Sequence, residues 1–352
     1  MSPPADLPPT ASAPTRLLRE AAESPDVVRV QLGANDGVMR ALAERLRAAP
    51  PRAVVTLGRG SSDHAATYAR YLIETRMGVM TASAAPSISS VYDVSPDMSG
   101  MLCLVISQSG RSPDLLAAAE AAAKAGALVV AMVNDADSPL AEMAEVTAPL
   151  RAGPELSVAA TKSYVAALAS AVQLVALWSQ DAELLAGLET LPDLLQQAWA
   201  LDWTSALPVL TAAKSLYVVG RGVGFGVAQE AALKLKETSG LHAEAFSAAE
   251  VRHGPMALVG PEFPVLAFAQ GDETRAGVEA FVAAAAAQGA PALKAGGGPQ
   301  PGVLTLPTLA TCPILEPITY VLSFYRLVNV LALERGFDPD RPPHLRKVTE
   351  TR

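Results

Sequence analysis

The sequence predicts an α/β protein built of two tandem doubly wound domains, each a parallel sheet flanked by helices, with an extended C-terminal tail. Three observations predict it. Short Val/Leu/Ile runs alternate with long alanine-rich stretches, and continuous apolar runs between helices mark strands covered on both faces. The order of these segments repeats along the chain. The landmarks keep their spacing too: glycines 58 and 220, glycines 60 and 222, and glutamines 108 and 270 are each 162 positions apart. Two copies of one unit account for this better than coincidence.

Taken in order, "MSPPADLPPTASAPT" is rich in proline and alanine and reads as a loose arm. It has neither the basic start nor the apolar stretch of a signal peptide. Arm and first helix take residues 1–30, and the first domain takes 31–195. There "AVVTLG" (53–58) feeds the helix "SSDHAATYARYLIETRMG", "LCLVIS" (102–107) feeds "SPDLLAAAEAAAKAG", and "ALVVAMVN" (127–134) follows. A helical stretch, "ETLPDLLQQAWALDWTSA", joins the halves. In the second domain, 196–335, "LYVVGRGVG" (216–224) echoes "VVTLGRGSS" (54–62), and "PVLAFAQGDE" (264–273) echoes "LCLVISQSGR". Gly126 and Gly289, each ending a helix, differ by 163. Residues 336–352 form the tail.

Half of the 352 residues are hydrophobic and the net charge is -8. An acidic chain without a basic run is a poor partner for nucleic acid or an anionic membrane. No uncharged apolar stretch approaches the roughly 20 residues needed to span a bilayer. Cys103 and Cys312 lie in apolar surroundings without metal-like or redox spacing, so buried thiols in a reducing, cytoplasmic compartment are expected.

The strand "LCLVIS" breaks into Ser107, Gln108, Ser109, Gly110 and Ser112 before a helix opened by Pro113 and Asp114. Ligands on open α/β sheets bind at the carboxyl ends of strands, where a helix start offers free N–H groups and a positive dipole end to phosphate. Ser61 and Ser62 follow the neighbouring strand and can face the same crevice. Serines at such places also cap helices; two clusters after adjacent strands favour phosphate. The second copy has Ala269-Gln270-Gly271-Asp272-Glu273 at the matching place, so only the first copy is expected to hold an anion. No G-x-x-x-x-G-K-[ST] occurs, and "GRGVGFG" (220–226) misses the third glycine of G-x-G-x-x-G. Phosphate without nucleotide points to a sugar phosphate.

In "VAQEAALKLKETSGLHAEAFSAAEVRHGP" (227–255), Glu230, Lys234 and Glu237 stand at i, i+4 and i+7 on one helix face. A solvated charge stripe would look alike, but here Ala and Leu flank it and it runs into His242, Glu244 and His253. Two of the chain's four histidines lie in this segment. The histidine spacing does not fit a helical metal site. A carboxylate, a lysine and a histidine beside a sugar phosphate suit aldose–ketose isomerisation, which needs ring opening and proton movement between C2 and C1. It needs no redox cofactor and no metal.

These motifs resemble the tandem SIS (sugar isomerase) domain family, and in particular the isomerase half of glucosamine-6-phosphate synthases. The likeness runs over about residues 30–352 and rests on Gly-Ser-Ser (60–62), "SQSGRS" (107–112), "VAATKSY" (158–164), "EAALKLKE" (230–237), "HAEAF…EVRHGP" (242–255) and "PPHLRKVTE" (342–350). The resemblance implies that Ser62, Ser107, Gln108, Ser109 and Ser112 hold the phosphate. It implies that Glu237 is the base with Lys234 beside it, and that His253, supplied by the other subunit of a homodimer, opens the ring. Lys347 belongs to a tail that folds over the sugar, and Ser61, Val158, Ala160, Lys162, Glu230 and His242 complete the substrate site.

Synthases of this family carry a glutaminase domain, whereas this chain starts Met-Ser-Pro. Arg111 stands where synthases have Glu, and Ala160 where they have Ser. Arg111-Ser112-Pro113 and "PPHLRKVTET" are similar to stand-alone glucosamine-6-phosphate deaminases. The resemblance therefore implies conversion of glucosamine 6-phosphate and water to fructose 6-phosphate and ammonia. A galactosamine-6-phosphate deaminase, a fructosamine-6-phosphate deglycase or an ammonia-dependent synthase would share these residues. A non-catalytic sugar-phosphate sensor would not need Glu237 and His253 together.

Overall fold

The structure, a computed structural model, describes residues 14–347. The N-terminal arm to residue 13 and tail residues 348–352 lie outside the described part. The first half contains α1 (Arg16–Ala22), α2 (Ser24–Ala48), β1 (Val54–Leu57), α3 (Ser61–Met77), β2 (Thr81–Ser83) and α4 (Ser87–Ser90). It continues with β3 (Leu102–Ser107), α5 (Pro113–Lys124), β4 (Leu128–Val133), α6 (Pro139–Met143), β5 (Val146–Pro149), α7 (Lys162–Ser179) and α8 (Ala182–Ala200). The second half has α9 (Leu207–Ala212), β6 (Ser215–Gly220), α10 (Gly224–Ser239), β7 (His242–Ser247) and β8 (Val265–Phe268). It ends with α11 (Arg275–Ala287), β9 (Ala292–Ala295), β10 (Val303–Leu306) and α12 (Glu316–Glu334).

Each half holds a 5-stranded sheet whose named strands all pair in parallel. The orders are β2-β1-β3-β4-β5 and β7-β6-β8-β9-β10, the same doubly wound order with the same switch point. The repeated glycines now have a physical reason. A Cβ on Gly58 would lie 2.8 Å from the Asp63 nitrogen, and one on Gly220 2.5 Å from the Gly224 oxygen. Gly60 and Gly222 both have positive φ, at 53° and 60°, a region open to glycine at little cost. The same strand-to-helix turn is thus built twice.

The central core runs through both halves. Tyr68 and Leu72 of α3, Val165 and Val172 of α7, Ala228 and Ala231 of α10, and Phe324 and Val328 of α12 belong to one buried cluster. Two smaller clusters cover the outer sheet faces, one under α5 with Cys103 and Val105, the other under α11 with Val219 and Phe281. The boundaries expected at residues 30 and 195 fall inside α2 and α8, each a continuous helix, because both helices pack into the shared core rather than link separate ones. Cys103 is buried, and burial pushes its thiol up to about 12; Cys312 is only partly buried, a departure from the expected pair of buried thiols. Among the described residues, no helix is long and apolar enough to cross a membrane.

Candidate functional site

Strands β1 and β3 are neighbours, with Leu57 paired to Val105, so the turns that follow them open side by side at the carboxyl edge of the first sheet. In the second turn, the Gly110 amide donates to Ser107 Oγ at 3.0 Å, and the Arg111 amide to Ser109 Oγ at 3.3 Å. Ser112 stands at the N-cap of α5 without a side-chain capping hydrogen bond. Its hydroxyl is therefore not absorbed by helix capping, the ordinary use of serine there.

A cavity of about 360 Å³ lies at these turns. One wall is Ser61 and Ser62 of α3; another is Ser107, Gln108, Ser109 and Ser112. Val158 and Ala160 form a third side, Glu237 of α10 reaches in from the second half, and Leu345, Arg346 and Lys347 of the tail form the rim. Arg59 also lines it. That residue was not singled out from the sequence, although it adjoins the Gly-Ser-Ser motif. Its guanidinium is held by Asp114 through contacts of 2.6 and 3.1 Å.

The Glu–Lys–Glu stripe is buried rather than solvated. Glu230 and Lys234 are fully inaccessible, and the Glu237 side chain is 18% exposed at the cavity. Lys234 Nζ lies 2.5 Å from Glu237 and 3.4 Å from Glu230. Burial alone would raise the Glu230 pKa, but the Lys234 charge and hydrogen bonds from His64 and Ser61 bring it below the usual carboxylate value. Burial likewise works against the Lys234 charge, and its two carboxylates more than offset it, so the ammonium is favoured. Tyr325 donates to Glu230 at 3.1 Å. Burial first, then the Glu230 charge, pushes its hydroxyl well above the ordinary tyrosine value, so it remains a donor.

The loop before α7 is organised by carboxylates that sequence reasoning missed. Glu155 is buried and accepts from the amides of Thr161 and Ser163, from Ser163 Oγ at 2.7 Å, and from Lys347 at 3.1 Å. Burial opposes its charge, yet Lys347 and these donors hold its pKa below the usual value. Glu20 accepts from the amides of Leu156 and Ser157. Glu20 acts across 136 positions of chain, and Glu155 joins donors six and eight positions on to Lys347, 192 positions away, so the sequence around neither residue shows its full set of partners.

Two expected site residues stand elsewhere. Lys162 is 3% exposed and pairs with Glu23 at 2.5 Å, so its ammonium serves the junction of α1 and α2. His242 contacts Ser215 at 2.9 Å, and these two residues begin β7 and β6. It is therefore at the amino edge of the second sheet, the end opposite to ligand-binding crevices. His253, expected to serve the other subunit's site, is exposed beyond a 3₁₀ turn at Glu250–Arg252 and does not line this chain's own cavity. Arg111 turns to Asp135 at 2.8 Å.

The SIS domain model matches residues 49–177 and 209–293. The chain belongs to the SIS domain family. Among its relatives, the isomerizing glutamine–fructose-6-phosphate aminotransferase of Aeropyrum pernix is 35% identical over 312 residues, 84% of this chain and 50% of that protein. The enzyme of the same name from Pyrobaculum aerophilum is 33% identical over 351 residues, 95% of this chain and 57% of that one. The chain thus spans about half the length of the curated relatives it matches. A crystal structure from Silicibacter pomeroyi, with phosphosugar isomerase as its working name, is 42% identical with a TM-score of 0.89 and covers 93% of this chain and all of that one. The glucosamine-6-phosphate deaminase of Thermotoga maritima shares the SIS fold, at 21% identity and a TM-score of 0.75 over 96% of this chain and 100% of that one.

Proposed function

We propose that this chain isomerises a hexose 6-phosphate at its first two carbons, interconverting fructose 6-phosphate plus ammonia with glucosamine 6-phosphate plus water. The observation that carries this is the shared cavity: hydroxyl-rich helix starts of the first half and the carboxylate of Glu237 from the second face one space. The serine turns suit a phosphate, through hydroxyls, free N–H groups and the positive ends of α3 and α5. Arg59, Arg346 and Lys347 add positive charge around the same space. Glu237 suits the other end of the sugar, because C1 and C2 are adjacent and one carboxylate can serve both.

In the amination direction, ammonia adds to the C2 carbonyl and water leaves, giving an imine. Glu237 takes a proton from C1 and returns it to C2, and the aldose closes to its ring. Every step runs backwards in deamination. Lys234 lies behind Glu237, so it acts through that carboxylate. His253 is proposed to assist ring opening in the cavity of a second copy, which makes a homodimer the working unit. Lys347, on the rim, is proposed to close over the sugar.

Relatives named for isomerising amino transfer to fructose 6-phosphate support the amination direction. The run Arg111-Ser112-Pro113 favours net deamination instead. Purified full chain would be given fructose 6-phosphate with ammonium, and separately glucosamine 6-phosphate, while both sugars and ammonia are followed. Interconversion is expected in the wild type. Glu237→Gln is expected to lower kcat by about a hundredfold or more, the scale of a lost general base, while sugar-phosphate binding persists. Absence of turnover with both sugars, or full activity in Glu237→Gln, would sink the proposal.

A further inference from the structure

Behind Glu237 the polar contacts lead to a first-half residue with no role so far. One ammonium, Lys234, stands between two carboxylates, 2.5 Å from Glu237 Oε2 and 3.4 Å from Glu230 Oε1. Both Glu230 and Lys234 are shut off from solvent, so the balance of the two anions, not water, decides where the ammonium sits. Glu230 Oε1 receives Ser61 Oγ at 3.0 Å and Tyr325 Oη at 3.1 Å as well. Glu230 Oε2 has a different partner. His64 Nδ1 lies 3.0 Å from it, and among the described residues no other hydrogen bond to that oxygen occurs.

We propose that His64 is a positioning residue for the Lys234–Glu237 pair, acting through Glu230. A buried carboxylate oxygen left without a donor is costly. Stripped of His64, Glu230 would turn Oε2 towards Lys234, the cation already touching its other oxygen, and draw the ammonium away from Glu237. With His64 in place, Glu230 holds Lys234 by one oxygen, and the ammonium keeps its short contact to the base. Because the carboxylate accepts, the imidazole must present N–H at Nδ1. The ring is 17% exposed, and Nε2 takes no part in the contact. The serine turns that would hold phosphate are not involved, apart from Ser61, whose hydroxyl is already turned to Glu230.

Asparagine can place an N–H where Nδ1 stands, whereas glutamine places its amide where Nε2 stands. In full-length protein, His64→Asn is expected to keep kcat within about threefold of wild type. His64→Gln and His64→Ala are expected to lose about ten- to a hundredfold, the scale of a misplaced catalytic group, with KM for the sugar phosphate within about twofold. Equal kcat for the Asn and Gln variants would overturn the assignment. So would a rise in KM at unchanged kcat, which would make His64 a ligand contact, or a loss that follows melting temperature alone.

The kinetic part rests on the proposed isomerisation, and the wild type tests that separately. Nitrogen-15 spectra of the histidines need no turnover: His64 is expected as the Nδ1-protonated form in wild type, and to lose that form in Glu230→Gln. A wild-type His64 that carries no proton on Nδ1 overturns the proposal whatever the enzyme's substrate.

Discussion

Ser109 and Arg59 illustrate what one residue can reveal at the cavity. Ser109 is on the wall formed by the turn after β3, and its Oγ accepts from Arg111 N, so its hydroxyl hydrogen remains available to a ligand. Removing one hydrogen bond to a charged group costs about 1.5–3 kcal/mol, so Ser109→Ala is expected to raise KM for the sugar phosphate about tenfold or more, with kcat little changed. Initial-rate kinetics checks it; an unchanged KM would take Ser109 out of the proposed phosphate site. Arg59→Ala should raise KM as well, and more strongly at low ionic strength, where a guanidinium–phosphate attraction is least screened. A salt-independent effect would leave Arg59 with the sole task of neutralising Asp114. The serine motif was legible because its residue types cluster locally. Arg59 was not, since only the fold shows that its side chain reaches the cavity while paired with Asp114.

Among elements, the contact of α3 with α10 matters most, because it brings the serine side of the site to the carboxylate side. Gly226 allows it: a Cβ there would stand 2.6 Å from the His64 carbonyl oxygen, and backbone cannot yield as a side chain can. Gly226→Ala gains helix propensity of at most about 1 kcal/mol, yet overpacking of this kind costs about 1–3 kcal/mol. A lower denaturant midpoint at unchanged slope is therefore expected. Activity should fall with it, since His64 and Ser61 both lie on α3 and both reach Glu230. A more stable variant would mean the helices separate without cost. The described part of the tail is held differently, by Asp340 accepting from the amides of Arg16 and Leu17 and, at its far end, by the Lys347–Glu155 contact. Glu155→Gln is expected to expose the chain around Lys347 to limited proteolysis, and unchanged cleavage there would show that the Asp340 contacts suffice to hold it.

For the molecule as a whole, two buried carboxylates couple folding to pH. The folded-state pKa values of Glu230 and Glu155 both lie below the ordinary value of 4.5. In mild acid the unfolded chain then binds more protons than the folded one, so acid drives unfolding. Their contribution is complete above about pH 4.5 and is lost as pH falls through the lower folded-state values. Urea unfolding followed from pH 6 down to pH 3 should show stability falling with acidity, with a shallower fall in Glu155→Gln. A flat profile would contradict the buried ion pairs.

The sequence by itself determined the two-sheet α/β plan, the internal repeat and the position of the serine turns. These depend on local demands: apolar runs for strands covered on both faces, and glycines where a turn leaves no room for a side chain. Only the tertiary structure decided what each charge is for. Lys162 looked like a site residue and serves Glu23, His242 was turned to the far edge of its sheet, and His64 and Glu155 were drawn into the centre from 166 and 192 positions away from their partners Glu230 and Lys347. The reason is desolvation. A charge takes its meaning from the atoms that exclude water from it, and those come from every part of the chain.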